Sequence, residues 1–322
     1  MQVSVVMACR NGAAHLAETL EAVCAQAWDR PWEIVLADNG STDDSRAIFE
    51  AATARHPERV MRVIDAGQRP GKSHALNCGV AASGGRAIVL CDADDVPAPG
   101  WLAAMGTALE THDFVSARNE VERLNTGPLG RYREVPHSTW ELPFAPFALC
   151  TAGATMGFTR RLFDAVGGFD PGFQPEDDEF CIRAHLAGFE LHVVREAVMH
   201  YRLRDDLGAI FRQAYQYSQT DVQIARAYRD TGPGQRRAWR RLVREALDLG
   251  VRYCGRGLRG GDLLEAARLR WRLGALAGQV TGVVKYRAAP TTGRPPPDAR
   301  RAWAGRRGVA PAPVPLAEER TA

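Results

Sequence analysis

The first hundred residues alternate between short apolar runs and segments whose apolar residues recur at helical spacing. Runs rich in β-branched residues occur at Val3–Ala8, Trp32–Ala37, Val60–Ile64 and Ala87–Cys91. Such runs predict buried strands. The intervening segments Ala13–Ala25 and His74–Ala82 have the spacing of helices. Strand–helix alternation predicts right-handed crossovers and a mostly parallel sheet with helices on its faces, which is an α/β fold.

Polar residues follow the second and fourth predicted strands. Asp38 and Asn39 follow the second strand, and Asp92, Asp94 and Asp95 follow the fourth. The carboxyl ends of parallel strands meet at one edge of a sheet, where α/β proteins bind ligands. Crowded carboxylates repel one another, and a hard divalent cation such as Mg²⁺ or Mn²⁺ relieves that repulsion. Taken alone, the cluster is equally compatible with a solvated acidic turn.

Lys72 is one of only two lysines among 41 basic residues. It follows a glycine-marked loop, residues 67–71, and opens a predicted helix whose N-terminus faces the same edge of the sheet. A cation beside free backbone N–H groups binds phosphate well. The edge therefore has the layout of a site for a nucleoside diphosphate with a bridging metal. A solvated surface lysine is the alternative.

A second acidic cluster, Glu176–Glu179, begins another predicted helix. Crowding raises the pKa of at least one of these carboxyl groups, which suits a general base. Displacement of a nucleoside diphosphate needs such a base for the incoming hydroxyl, and positive charge for the leaving group. The alternative is an acidic first turn that only complements the helix dipole.

The order of these motifs resembles that of the family-2 inverting glycosyltransferases of GT-A (Rossmann-like) fold. The resemblance covers about residues 2–203. It rests on the segments VSVVMACRNGAAHLAETLEAV, IVLADNGSTDDS, GKSHALNCGVAASGG, AIVLCDADD, GATMGFTRRLFDAVGGFDPGF and PEDDEFCIRAHLAGFEL. It implies a catalytic domain over residues 1–205, with a nucleotide-sugar half at 1–98 and an acceptor and catalytic-base half at 99–205.

The resemblance also implies roles for single residues. Asp38 would contact the nucleoside base, and Asp92 would reach the ribose or the metal shell. Asp94, the last residue of the D-x-D motif, would hold Mg²⁺ or Mn²⁺ on the donor diphosphate. Asp177, with Glu176 beside it, matches the general base. His200 falls where many members of the family carry a histidine that joins the metal or the phosphate.

The rest of the expected donor site comes from Ala8, Arg10, Asn39 and Lys72. Arg10 stands where the family often has an aromatic residue after its first strand, so the sequence leaves the choice of nucleotide open. A UDP-sugar is the favoured donor. The acceptor class also stays open among a glycan, a lipid-linked glycan and a small metabolite.

The overall charge of +3 hides an asymmetry. Residues 1–200 carry 17 basic and 27 acidic residues, whereas residues 201–322 carry 24 and 11. Helical spacing from Leu207 onward predicts a basic helical extension over residues 206–287, including stretches at Trp239–Val251 and Asp262–Tyr286. These helices fit either an anionic membrane surface or packing on the catalytic domain. Residues 288–322, rich in Pro and Arg, predict a disordered tail.

These features predict a metal-dependent, inverting glycosyltransferase that uses a nucleotide-diphospho-sugar. The seven cysteines form no CxxC pair, there is no apolar run of membrane-spanning length, and the N-terminus lacks a secretory pattern. We therefore expect a cytoplasmic protein, with peripheral membrane contact through the basic helices and no nucleic-acid partner. The alternatives are an inactive nucleotide- or membrane-binding scaffold and a sugar-nucleotide pyrophosphorylase, whose glycine-rich loop after the first strand is missing here.

Overall fold

A computed structural model describes residues 2–142, 145–229 and 262–287. Strands and helices alternate through the first half of this chain, as the periodicity predicts. The strands are β1 (Val3–Cys9), β2 (Trp32–Asp38), β3 (Val60–Asp65), β4 (Ala87–Leu90), β5 (Val96–Pro97), β6 (Phe114–Glu120), β7 (Thr139–Leu142), β8 (Ala145–Thr151), β9 (Met156–Thr159) and β10 (Leu191–His200). The α-helices are α1 (Leu16–Cys24), α2 (Ser45–Arg55), α3 (Lys72–Ala82), α4 (Trp101–Ala108), α5 (Arg160–Val166), α6 (Asp177–Leu186), α7 (Leu207–Ala227) and α8 (Leu263–Lys285).

Eight strands form one mixed sheet in the order β3-β2-β1-β4-β9-β6-β10-β5. Strands β3, β2, β1 and β4 are parallel neighbours, and β10 is parallel to β6. Strand β9 runs antiparallel to both β4 and β6, and β5 runs antiparallel to β10. Strands β7 and β8 form a separate antiparallel pair. The predicted α/β fold is confirmed, with antiparallel strands in its second half.

Apolar cores on both faces of the sheet make a three-layer arrangement. Val3, Val5 and Met7 of β1 join the core that contains the buried residues of α1, α2 and α4. Val6 joins the opposite core with residues of α3, α5 and α6. Because successive side chains of a strand point to opposite faces, a strand buried on both sides must be apolar throughout. This requirement accounts for the continuous apolar runs of the sequence.

The carboxyl ends of the parallel strands lie at one edge, as expected. Cys9 of β1 pairs with Asp38 of β2, and Asp92 follows two residues after the end of β4. Helix α3 begins at Lys72 beside the same edge. The fold therefore brings together residues from Cys9 to Asp92, which are far apart in the sequence.

Helices α7 and α8 pack closely along each other. Gly278 of α8 contacts the backbone of α7 so tightly that a Cβ there would overlap the carbonyl oxygen of Tyr215. Ile224 of α7 is buried in the same core as α3 and α6, and Ala267 of α8 joins a small core with Tyr132. Both helices were expected from the sequence.

The predicted helical stretch at Trp239–Val251 and the predicted tail at 288–322 lie outside the described residues. In the part of the chain that is described, no helix combines the length and apolar character required to cross a membrane.

Candidate active site

A cavity of about 610 Å³ opens at the carboxyl edge of the parallel strands. One wall follows β1 and β4, a second comes from the starts of α3 and α6, and a third from the first turns of α7. Its charged lining includes Arg10, Lys72, Asp92, Asp94, Glu176 and Asp177. The cavity therefore joins the two halves of the predicted catalytic domain.

Lys72 bridges these two halves. Its Nζ lies 2.8 Å from Asp92 Oδ1 and 3.4 Å from Glu176 Oε1. Burial opposes the charge on this lysine, but Asp92 and Glu176 keep its pKa well above the usual value. A Cβ at Gly153 would lie 3.2 Å from Lys72 Nζ, so the glycine leaves the room that the ammonium group occupies. Lys72 is therefore a fixed positive charge inside the cavity.

Three carboxylates follow β4 and lie together. Oxygen atoms of Asp92, Asp94 and Asp95 fall within 4.8 Å of one another. Asp95 is 1% exposed, and its Oδ2 has no hydrogen-bond partner among the described residues. Burial, together with the charges of Asp94 and Asp92, raises the pKa of Asp95 well above that of an ordinary carboxyl group. A buried carboxylate oxygen without a partner is unfavourable unless it is protonated or bound to a cation.

This oxygen-rich group fits a hard divalent cation such as Mg²⁺ or Mn²⁺, which binds through carboxylates and keeps coordination positions for water and phosphate. The close approach of the three carboxylates and the unpartnered oxygen of Asp95 are the observations that support the fit.

Two arginines from the segment after β10 reach this group. Arg202 donates from Nε to the backbone oxygen of Asp94, and its backbone N–H donates to Asp95 Oδ1, both at 2.8 Å. Arg204 Nη1 lies 2.6 Å from Asp94 Oδ2. From the sequence alone, Asp95 belongs to the acidic cluster, but neither arginine has a predicted role. The alternating arginines directly after the last long strand, in the segment HYRLR, were the available signal.

The acidic run at the start of α6 divides between two environments. Glu176 and Asp177 line the cavity, and Asp177 Oδ2 accepts a hydrogen bond from the backbone N–H of Gly153 at 3.2 Å. Burial raises the pKa of both carboxyl groups, and the nearby charge of Lys72 opposes the increase. Of these two, Asp177 makes no ion pair with Lys72 within 4.0 Å, whereas Glu176 does.

The other two acidic residues have structural partners. Asp178 Oδ1 accepts a hydrogen bond from the indole of Trp140 at 3.0 Å. Glu179 forms an ion pair with Arg183 at 2.6 Å and accepts a hydrogen bond from Tyr228 Oη at 2.6 Å. Because consecutive residues of a helix point about 100° apart, a run of four carboxylates cannot face one cavity.

Eight of the ten predicted site residues line the cavity, namely Ala8, Arg10, Asn39, Lys72, Asp92, Asp94, Glu176 and Asp177. Asn39 is buried, and its side chain forms hydrogen bonds with backbone groups of the loop before α3. Its amide donates to the carbonyl oxygens of Ala66 and Arg69, and its Oδ1 accepts from the N–H of Gly71. Asn39 therefore fixes the loop that leads to Lys72.

The structure does not bring Asp38 and His200 into the cavity lining. Asp38 Oδ1 accepts a hydrogen bond from the N–H of Ser41 at 2.9 Å, which holds the turn after β2. The His200 ring lies between the Glu120 carboxylate and the Arg123 guanidinium, with Nε2 3.2 Å from Arg123 Nη1. Both side chains therefore lie outside the cavity lining, and base contact by Asp38 and metal binding by His200 stay predictions.

Two family models match the chain. The model described as glycosyl transferase family 2 matches residues 4–165, and the one described as glycosyl transferase family group 2 matches residues 87–283. The first begins at residue 4 of the predicted donor half and continues past β9, and the second includes the acidic run, α7 and most of α8.

Two bacterial proteins are similar in sequence. An uncharacterized glycosyltransferase of Nostoc sp. is 32% identical over 122 residues, which are 38% of this chain and 37% of that protein. The uncharacterized glycosyltransferase YwdF of Bacillus subtilis is 32% identical over 190 residues, or 57% of this chain and 68% of that protein. The match therefore spans only about a third of the Nostoc protein's length and two thirds of that of YwdF.

Solved structures share the fold at low sequence identity. The mannosyltransferase PcManGT of Pyrobaculum calidifontis, solved with GDP-Man and Mn²⁺, superposes with a TM-score of 0.55 at 20% identity, covering 94% of this chain and 79% of that one. TarS residues 1–349 of S. aureus, solved with UDP-GlcNAc, gives 0.50 at 16% identity, covering 89% and 92%. Because the glycosyl transferase family 2 model matches half of this chain, the chain belongs to glycosyltransferase family 2.

Proposed function

We propose that this protein is a metal-dependent, inverting glycosyltransferase that moves a sugar from a nucleotide-diphospho-sugar, with a UDP-sugar favoured, to a hydroxyl group of an acceptor. The observation that carries the proposal is the position of Lys72, which contacts Asp92 on the donor side and Glu176 beside the candidate base. A cavity with a fixed cation between two carboxylate groups suits a reaction in which a diphosphate leaves and a hydroxyl loses its proton.

On the donor side, Asp92, Asp94 and Asp95 would hold the divalent cation. When bound, Mg²⁺ or Mn²⁺ supplies positive charge to the departing diphosphate. Lys72 lies against Asp92 of this group and would bind a phosphate oxygen. Arg10 and Ala8 line the cavity at the end of β1, where the rest of the nucleotide would lie. His200 stays outside the proposed ligand set because its ring contacts Glu120 and Arg123.

On the acceptor side, Asp177 is the proposed general base. The acceptor oxygen forms a bond to the anomeric carbon, the bond from that carbon to the phosphate oxygen breaks, and the acceptor proton passes to the Asp177 carboxylate. Attack from the face opposite the diphosphate inverts the anomeric centre. Burial raises the pKa of Asp177, which makes its carboxylate a stronger base than an exposed one. Glu176, paired with Lys72, would keep that lysine in position.

The acceptor belongs to one of three classes in this proposal: a glycan, a lipid-linked glycan or a small metabolite. Gln213, Gln216 and Tyr217 of α7 line the cavity and would contact it. Peripheral contact with an anionic membrane through the basic helices stays part of the proposal, and the exposed Arg268 and Arg270 of α8 suit it.

Titration calorimetry with UDP, GDP and dTDP, with and without Mn²⁺, tests the donor site. We expect micromolar binding of one nucleotide, dependent on Mn²⁺ and lost in Asp94→Asn, and release of that nucleotide from the matching sugar donor. Asp29→Asn is the matched control because its side chain is 87% exposed on the surface. If none of the three nucleotides shows metal-dependent binding, the proposal is refuted and a scaffold role is favoured.

A further inference from the structure

Two of the three aspartates proposed to hold the metal, Asp92 and Asp94, already have a cationic partner. Arg204 Nη1 lies 2.6 Å from Asp94 Oδ2, and Lys72 Nζ lies 2.8 Å from Asp92 Oδ1. Asp94 is one of the three carboxylates that a bound cation would use, and one of its two oxygens, Oδ2, already faces Arg204. A guanidinium at hydrogen-bond distance and a metal ion cannot occupy the same direction around one oxygen.

Arg204 differs from its neighbour Arg202 in how firmly it is held. The Arg202 side chain is 16% exposed, and it bonds both the backbone oxygen of Asp94 and Glu18 Oε2. The Arg204 side chain is 43% exposed and lines the cavity, and its ion pair is with Asp94. A guanidinium has five N–H donors in a planar fork that matches phosphate, so Arg204 can exchange Asp94 for a phosphate oxygen without leaving the cavity.

We infer that Arg204 is the internal counter-ion of Asp94 in the donor-free site and that it transfers to the diphosphate when the metal and nucleotide enter together. The inference rests on the proposed function. A free divalent cation would have to displace Arg204 and then lie near two side-chain cations, Arg204 without its partner and Lys72 with only Glu176 left as its partner. A nucleoside diphosphate brings the negative charge that both cations need. The site therefore selects the metal–nucleotide pair over the free metal.

Removal of the Arg204 charge has opposite effects on the two ligands. In Arg204→Gln, free Mn²⁺ meets an Asp94 side chain without an ion-pair partner, and only Lys72 remains as a nearby cation, so we expect it to bind about tenfold more tightly. The nucleoside diphosphate loses a charge-assisted contact, so in the presence of saturating Mn²⁺ we expect it to bind about tenfold more weakly. If Arg204 had only a structural role, Arg204→Gln would weaken the binding of both ligands.

The experiment is calorimetry on the full chain with three titrations: Mn²⁺ alone, nucleoside diphosphate alone, and nucleoside diphosphate at saturating Mn²⁺. The nucleotide is whichever of UDP, GDP and dTDP the wild-type protein binds with Mn²⁺. Arg204→Lys keeps the charge and should retain the wild-type preference for the pair. Arg55→Gln removes a half-exposed arginine of α2, paired with Glu21 outside the cavity, and should change neither affinity.

The outcomes separate this inference from the proposal on which it rests. If wild-type protein binds no nucleotide with Mn²⁺, the proposed function fails, and the inference fails with it. If wild-type protein binds the pair but Arg204→Gln binds free Mn²⁺ no more tightly, the inference alone is overturned. Equal thermal unfolding of Arg204→Gln and Arg204→Lys shows that a difference in binding reflects the charge and not a loss of folding.

Discussion

Gly278→Ala tests whether α7 and α8 pack as described. A Cβ at position 278 would lie 2.9 Å from the carbonyl carbon and 3.0 Å from the Cα of Tyr215, and it would overlap the carbonyl oxygen. Carbon atoms in good contact lie about 3.5 Å apart or more, so the helices must separate by at least about 0.5 Å. All three obstructing atoms belong to the backbone of a helix, which cannot move aside as a flexible side chain can.

Two effects of opposite sign set the change in the free energy of unfolding. Overpacking of a close contact costs about 1–3 kcal/mol, and a clash with backbone alone belongs at the upper end of that range. Alanine also favours the helix over glycine by about 1 kcal/mol. We therefore expect Gly278→Ala to lower the free energy of unfolding by about 2 kcal/mol. Without the packing against α7, the same substitution would stabilise the protein.

Urea unfolding followed by circular dichroism measures this difference. The matched control is Gly127→Ala, because no heavy atom lies within 4 Å of a Cβ built there; we expect a change of no more than about 0.5 kcal/mol. A midpoint for Gly278→Ala equal to or above that of the wild type would refute the close packing of α8 on α7. That result would also mean that α8 does not support the α7 wall of the cavity.

Three further predictions concern the site and its supports. Asp177→Asn should lower the transfer rate about 10²- to 10⁴-fold without weakening nucleotide binding. In the wild type, the rate should fall as the pH drops through the raised pKa of Asp177, because the base must be ionised; a steady-state pH profile whose acid limb matches that of an exposed aspartate contradicts this. Asp178→Asn keeps an acceptor for the Trp140 indole and removes a buried charge. Burial raises the pKa of Asp178 well above its usual value, so the folded state holds that proton more tightly than the unfolded state, and the wild type loses stability as the pH rises through the ordinary aspartate range and on to the raised value. At about pH 8, the variant should therefore unfold at a higher urea concentration than the wild type, and the difference should be smaller in acid. A variant that is less stable than the wild type at both pH values would contradict the reasoning. Asn39→Ala removes hydrogen bonds to three backbone groups of the loop 66–71, so it should destabilise the protein by about 1–3 kcal/mol and weaken nucleotide binding, whereas unchanged affinity would mean that the loop needs no such support.

The position of the candidate site followed from local patterns. Apolar runs of strand length separated by segments of helical period define parallel βαβ units, and their carboxyl ends must share one edge. Asp92 and Lys72 therefore could be placed together from sequence alone, and they lie 2.8 Å apart in the structure. The family resemblance added the expectation that Glu176 and Asp177 belong to the same site, and both line the same cavity.

Side-chain direction within a cluster could not be predicted in this way. The sequence presents Glu176, Asp177, Asp178 and Glu179 as one acidic run, but only the first two face the cavity. The contact of Asp178 with Trp140 depends on how α6 packs against the β7–β8 pair, which no periodicity in α6 encodes. Likewise, the position of His200 depends on its neighbours Glu120 and Arg123.

The sequence by itself determined the layers of the fold, the edge that carries the site and most of its charged residues, because strand and helix periods are local properties of the chain. Only the tertiary structure decided which charges neutralise one another. Arg204 and Asp94 are 110 residues apart and meet because β10 lies across the sheet from β4 and ends beside the acidic group. Ion pairs between distant segments depend on distances of a few ångströms, and only the packed chain sets those distances.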